Sequence, residues 1–303
     1  MKRVEDASIR ERSATFRPLR LVVATRGDDE SRGAVELAAR FTEQRGAAVL
    51  AATVVPPMTD VPRQEARSDS PFEDESRCSV PIAVERALSV VDASAQWTKR
   101  ATRGWPADTI NDVATAWGAS LILVGLGQHR PIDRLFGTET AINVIKHAAS
   151  AVLAVPAQMR ELPRRACAAI DFTPASMAAA LLAASVLDDG GKLTLVHASP
   201  YQGIEIDTDP IAQLYRSTAG NRLAEVLAAI RRATPHRVEG LLVDGEPTQA
   251  IIDFVRDEHC DLVALGGHAQ TLVDRILIGS VRTRVLRAVE CAVLVAPPKL
   301  EGA

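Results

Sequence analysis

Residues 19–25 (LRLVVAT) form the first apolar run of the chain, and Val35, Leu37, Ala38 and Phe41 follow at helical spacing. This predicts a buried strand leading into an amphipathic helix, with Ser31 as the N-cap. Residues 47–55 read as a second buried strand, closed by Pro56-Pro57. A helix over 81–93, a strand over 96–102 and a helix over 106–117 come next. Two short, wholly apolar strands complete the series: 121–124 (LILV), running into Gly125, and 151–155 (AVLAV), closed by Pro156.

The pattern then restarts. Residues 166–170 read as a strand, followed by Asp171. Thr173-Pro174 is an N-cap with proline at the first helical position, and an alanine-rich helix follows. Further strands are expected over 193–197, 238–243, 262–265 and 292–295. Helices are expected from Asp209-Pro210, with a break before 221–232, and over 248–256 and 281–289.

The two series can be laid on each other. SLILVG (120–125) matches DLVALG (261–266), DRLFGT (133–138) matches DRILIGS (274–280), and SAVLAVPA (150–157) matches CAVLVAPP (291–298). A single repeat of about 140 residues marks a duplicated domain rather than a solenoid. The expected layout is a flexible tail over 1–17, one domain over 18–156 and a second over 164–298. Residues 58–79, polar and charged with little to bury, read as a mobile loop. Short apolar strands alternating with helices give an α/β fold class, each half a doubly wound parallel sheet with helices on both faces. Such sheets bind ligands beyond the strand carboxyl ends, where strand order reverses.

Composition narrows the function. The chain has 303 residues, 47% of them hydrophobic, and a net charge of −3, so no global basic field draws it to nucleic acid or anionic lipid. No apolar run reaches the length of a membrane span, and the charged N-terminus lacks a signal-peptide core. Cys78, Cys167, Cys260 and Cys291 are scattered without a CxxC pair, which argues against a zinc site or disulfide framework and fits a reducing cytoplasm.

Candidate chemistry gathers after the fourth strand of the second half. Gly266-Gly267-His268-Ala269 leaves that strand, and Gly279-Ser280 opens a helix after nine further residues. Glycines allow close approach of an anion, and the N–H groups of Ser280 and Val281 at a helix start suit phosphate. On the same residues, Ser280 can equally be only an N-cap and the glycines only turns.

The spacing G-2x-G-9x-G-(S/T) after an apolar strand, with a first strand ending in Asp, resembles the universal stress protein family. Gly104-Trp105-Pro106 and Gly245-Glu246-Pro247 before the third helices, and the apolar last strands ending at proline, extend the resemblance over nearly the whole chain. It implies a five-stranded parallel sheet in the order 3-2-1-4-5 in each half, a role in stress response, and ATP as ligand, with or without Mg2+. Carried onto this sequence, it implies that Asp171 holds the nucleoside and that main chain at Ala198 meets the adenine. Gly266, His268, Ala269, Gly279, Ser280 and Val281 would cradle phosphate, with Gly125, Gly127, Gly137 and Thr138 as counterparts in the first half. The same resemblance implies pairing through the last strands, as an intrachain pseudo-dimer or between chains as a homodimer.

The match is uneven. Ala269 replaces the middle glycine of the second loop, at a cost of about 1–2 kcal/mol if that residue is left-handed. In the first half Arg26 stands where the Asp belongs, and the loop after Gly125-Leu126-Gly127 is one residue short. Arg26 would either meet phosphate directly or be a surface arginine in a half without ligand. Nucleotide binding is therefore expected mainly in the second half. His129 and His268 have no partner at ligand spacing, His197 reads as a core histidine, and Glu258-His259-Cys260-Asp261 does not present a productive Cys–His pair. The expectation is a binder of adenine nucleotide, at most a slow ATP hydrolase. A scaffold without ligand and an enzyme of the wider adenine-nucleotide hydrolase-like fold group are the competing classes.

Overall fold

The computed structural model describes residues 19–56, 96–127, 137–199, 209–267 and 281–297. The expectations for 1–17, for the 58–79 loop and for a helix over 81–93 fall outside these residues. In the first half the strands are β1 (Arg20–Ala24), β2 (Ala48–Val55), β3 (Thr98–Arg103), β4 (Leu121–Leu126) and β5 (Ala151–Pro156). The helices are α1 (Asp29–Arg45), α2 (Pro106–Trp117) and α3 (Gly137–His147). The second half contributes β6 (Arg165–Ala169), β7 (Lys192–Ser199), β8 (Arg237–Asp244), β9 (Leu262–Leu265) and β10 (Ala292–Val295). Its helices are α4 (Pro174–Val186), α5 (Pro210–Ala233), α6 (Pro247–Asp257) and α7 (Val281–Ala288).

All ten strands join one sheet in the order β3-β2-β1-β4-β5-β10-β9-β6-β7-β8. Counted within each half, this is 3-2-1-4-5 twice, reflected about the centre. Every pair is parallel except β5 with β10, whose antiparallel register sets Leu153 opposite Leu294, Val152 opposite Val295 and Ala154 opposite Val293. Each last strand thus satisfies the other's open edge, which would otherwise expose unpaired backbone groups.

Alternation along the strands divides the core into two layers. Leu21, Val23, Leu153 and Leu294 enter the layer covered by α1, α4 and α5. Val22, Ile122, Val263 and Val293 enter the layer covered by α2, α3, α6 and α7.

Two local expectations are corrected. Helix α1 starts earlier than expected: Asp28 is the N-cap, its carboxylate accepting from the Ser31 N–H, and Ser31 sits inside the first turn. Helix α5 runs unbroken through Gly220. Ala219, Leu223, Val226 and Ile230 keep one face buried across the glycine, and that burial outweighs the roughly 1 kcal/mol helix penalty of Gly.

The segment between the halves is tied down. A β-carbon on Gly33 would lie 2.0 Å from the carbonyl oxygen of Pro156, so the chain leaving β5 runs directly over α1. Arg40 donates to Glu161 (2.8 Å) and to the Arg160 carbonyl (3.3 Å). Leu162 and Pro163 are buried. Farther along α1, Arg45 donates to the carbonyls of Ser185 and Leu187 at the end of α4. Cations are favoured at a helix C-terminus, where carbonyls lack partners. Burial lowers the pKa of this guanidinium, and Asp189 and Asp188 act against that shift. On the other face Arg287 of α7 pairs with Glu139 of α3 at 3.0 Å.

Candidate functional site

The strand order reverses at β6 in the second half, with β7 on one side and β9 on the other. Asp171 follows β6 and Gly266 follows β9, at neighbouring carboxyl ends. Gly266 is packed so closely on the start of α4 that a β-carbon there would lie 2.6 Å from the Ser176 nitrogen. The absence of a side chain is what lets strand β9 and the helix start meet.

The turn from β6 into α4 is built by short polar side chains. Asp171 Oδ1 accepts from the Thr173 N–H (3.0 Å) and the Thr173 hydroxyl (2.5 Å). Thr173 Oγ1 in turn accepts from the Ser176 N–H at 3.2 Å, capping α4 as expected. Asp171 N–H donates to Ser176 Oγ at 3.3 Å. The carboxylate is thereby oriented at one oxygen while the residue stays exposed. Asp171 thus supports the helix cap through Thr173, at the carboxyl end of β6 beside that of β9.

Between Asp171 and the cap, Phe172 adopts a left-handed backbone at φ 64. Its ring stands 4.4 Å from that of His197. His197 is buried on β7 and donates from Nδ1 to the Ile170 carbonyl at 2.7 Å, while Nε2 meets the Tyr215 hydroxyl at 3.0 Å. Its role as a satisfied core histidine is thus visible, and it braces the end of β6.

Ala198 lies inside β7 rather than after it, since the strand continues to Ser199. The Val196 carbonyl accepts from Ile170 on the β6 side, and that of Ser199 accepts from Gly245 on the β8 side. Alternation therefore turns the main chain of Ala198 toward β6, beyond the last strand residue there. Val281 opens α7 and is partly exposed. His268, Ala269, Gly279 and Ser280 lie outside the described residues.

The first half has the same frame and different chemistry. Gly27 matches Phe172, with φ 75, and Asp28 matches Thr173 as N-cap. Gly125 packs on the start of α1 as Gly266 does on α4, a β-carbon there falling 2.3 Å from the Glu30 carbonyl oxygen. Arg26, at the place of Asp171, folds back to donate to Asp28 at 2.8 Å and to Glu30 at 3.4 Å. Its charge is already compensated by two carboxylates, although the side chain is 65% exposed. Asp28 Oδ1 also accepts from the Ser31 hydroxyl at 2.8 Å.

A cavity of about 210 Å³ lies here, lined by Thr25, Gly27, Asp28, Asp29, Ser31, Arg32 and Val35. A larger one, about 320 Å³, sits between Trp105 at the start of α2 and His147 of α3, and shares no residue with either crevice. Gly127 is buried after β4, and Gly137 and Thr138 begin α3.

Residues 19–156 and 163–297 each match the model of the universal stress protein family. The chain belongs to the universal stress protein family. A universal stress protein of Methanocaldococcus jannaschii is 29% identical over 110 residues, which span 35% of this chain and 64% of that protein, under two thirds of its length. Among solved structures, a universal stress protein from Archaeoglobus fulgidus aligns with a TM-score of 0.62 at 15% identity, covering 92% of this chain and 96% of that one. A putative universal stress protein from Pseudomonas aeruginosa aligns equally well, with TM-score 0.62, 15% identity, and coverage of 92% and 93%. These likenesses extend over both halves and concern the fold.

In this tandem universal stress protein, Phe172, His197, Tyr215 and Ser176 support the turn from β6 into α4, and sequence reasoning did not single them out as site residues. A signal for Ser176 was present: laying residues 20–31 on 165–176 puts Ser31 and Ser176 at one position. Among the described residues no group of three or more His, Cys, Asp or Glu side chains is arranged to hold a metal ion. No helix among them is long and apolar enough to cross a membrane.

Proposed function

We propose that this chain is a nucleotide-binding stress-response module whose second half takes ATP in the crevice between β6 and β9. The observation that carries the reading is the pair Asp171 and Gly266. An oriented, exposed carboxylate stands beside a strand end that only glycine lets approach the helix start. A carboxylate accepts ribose hydroxyls well, and main chain at Ala198 faces the same opening. The glycine loop and the start of α7 then supply phosphate contacts through Gly279, Ser280 and Val281. The first half contributes structure rather than a second site, because Arg26 is engaged by Asp28 and Glu30. On this reading the module acts as a binder, with hydrolysis at most slow.

Titration calorimetry with ATP tests this. One site per chain is expected. Asp171→Ala removes a charge-assisted hydrogen bond of about 1.5–3 kcal/mol and weakens binding by about 10- to 150-fold. Arg26→Ala leaves the affinity unchanged. Equal affinity in the wild type and Asp171→Ala rejects the assignment, and no heat with any adenine nucleotide makes the chain a scaffold.

A further inference from the structure

Three of the four cysteines come together at the foot of the second half, the end of the sheet away from the crevice. Cys167 lies within β6, Cys260 follows the last turn of α6, and Cys291 immediately precedes β10. All three pack in the layer that contains Val263 and Val293. The end of α6 explains how Cys260 gets there. Its N–H donates to the Val255 carbonyl (2.9 Å) and that of His259 to Arg256 (3.1 Å), with His259 left-handed at φ 49. This helix ending turns His259 out to solvent and the next side chain back onto the core. The ladder then ties the following residues together, Ala292 N–H donating to the Asp261 carbonyl at 3.1 Å.

The first half shows what side chains at these positions do. Ala119 follows the same kind of helix ending after left-handed Gly118, and Ser150 precedes β5 as Cys291 precedes β10. There the Ser150 hydroxyl donates to the Ala119 carbonyl at 2.7 Å, so the second side chain rests directly on the first residue. In the second half both positions are thiols.

We propose that Cys260 and Cys291 are a modification site at which a peroxide closes an intrachain disulfide. The Cys260 thiolate attacks a peroxide oxygen, the O–O bond breaks, and the departing hydroxide takes a proton to become water. Cys260 is left as the sulfenic acid. The Cys291 thiol then attacks that sulfur and loses its proton as the S–O bond breaks, releasing a second water. Two thiols and one hydrogen peroxide give one disulfide and two waters.

Cys260 reacts first because it is the less buried of the pair. Burial, with Asp261 and Glu258 nearby, pushes its thiol up to about 11, and Arg165 and Lys192 pull the other way. Burial, with Cys260 and Asp261 adding, pushes Cys291 up to about 12, main-chain hydrogen bonds opposing. Cys167 is fully buried and its thiol is pushed well up by that burial, so it stays a spectator. The thiolate is the nucleophile, so at neutral pH the pair responds to sustained oxidant rather than to brief exposure.

The test uses the full chain and two variants that carry the first half's own residues, Cys260→Ala and Cys291→Ser. Protein is treated with hydrogen peroxide at two pH values, thiols are blocked with iodoacetamide after unfolding, and peptides are read by mass spectrometry. The expected product is a linked peptide pair containing Cys260 and Cys291, released by dithiothreitol, with Cys167 alkylated. Its formation rises about tenfold per pH unit between 7 and 10. Cys291→Ser leaves Cys260 as a sulfenic acid trapped by dimedone, and Cys260→Ala leaves Cys291 unmodified. Full alkylation of Cys260 and Cys291 after peroxide overturns the proposal, as do disulfides that run between chains or through Cys78.

Discussion

Leu153 of β5 and Leu294 of β10 are cross-strand partners at the seam between the halves, and both are fully buried. Truncating either to alanine leaves a cavity that neighbouring strands cannot close, at a cost of about 2–5 kcal/mol. The two changes share one site, so the double variant is expected to fall short of the sum. Urea unfolding checks this. Because the sheet is continuous, both variants should shift one common transition. Two transitions, only one of them moved, would show that the halves unfold independently.

Gly33 and Gly220 are both helical and predict opposite outcomes. At Gly33 a β-carbon meets the Pro156 carbonyl at 2.0 Å, while at Gly220 the nearest atom is Leu242 Cδ1 at 3.8 Å. Gly33→Ala must push the backbone between the halves off α1 and is expected to destabilise by about 1–3 kcal/mol. Gly220→Ala meets only ordinary contact and should stabilise by about 0.5–1 kcal/mol through helix propensity. Thermal melts of the two variants decide, and a stabilised Gly33→Ala would remove the close approach from the account.

Phe172 provides a test of strain. Both Phe172→Ala and Phe172→Gly lose the contact with His197, but only alanine keeps the left-handed cost. That cost is about 1–2 kcal/mol, partly offset by glycine's larger unfolded-state entropy. The glycine variant is therefore expected to be the more stable of the two by about 0.5–1 kcal/mol in denaturant melts. The reverse order would mean that the turn relaxes.

Asp28 gives the acid limb of the stability profile. Burial raises its pKa, but hydrogen bonds from Ser31 and Arg26 and the Arg26 charge outweigh that, so the net shift is downward. A carboxylate lowered in the folded state contributes stability that is fully present above its unfolded value near 4. That contribution is lost as pH falls through the folded value. Asp28→Ala removes the cap of α1, about 0.5–2 kcal/mol at neutral pH. The gap between variant and wild type should narrow below pH 4; a gap independent of pH would mean that the cap acts without its charge.

Much of the fold was legible because it is local. Strands 121–124 and 292–295 announce themselves as apolar runs between breakers, and Thr173-Pro174 announces a helix start, whatever the rest of the chain does. The repeat was legible because duplication leaves its spacing in the sequence, and with it the two apolar last strands that pair. Local reading failed where two local signals competed: Ser31 looked like the cap, yet Asp28 takes it, and Gly220 looked like a break, yet α5 carries through.

The sequence by itself determined the two halves, their strand order through family resemblance, and the positions of Asp171 and Gly266 at strand ends. Only the tertiary structure decided that Arg26 sets its charge on Asp28 and Glu30, that Arg45 grips the end of α4, that Pro156 crosses Gly33, and that Cys260 and Cys291 pack on one core layer. Apart from Arg26, each of these joins residues separated by a crossover or by a whole half. Such contacts depend on strand register and on which face a helix covers. Periodicity records that a residue is buried or exposed, but not which distant residue it is buried against, because any register that hides the same face gives the same pattern.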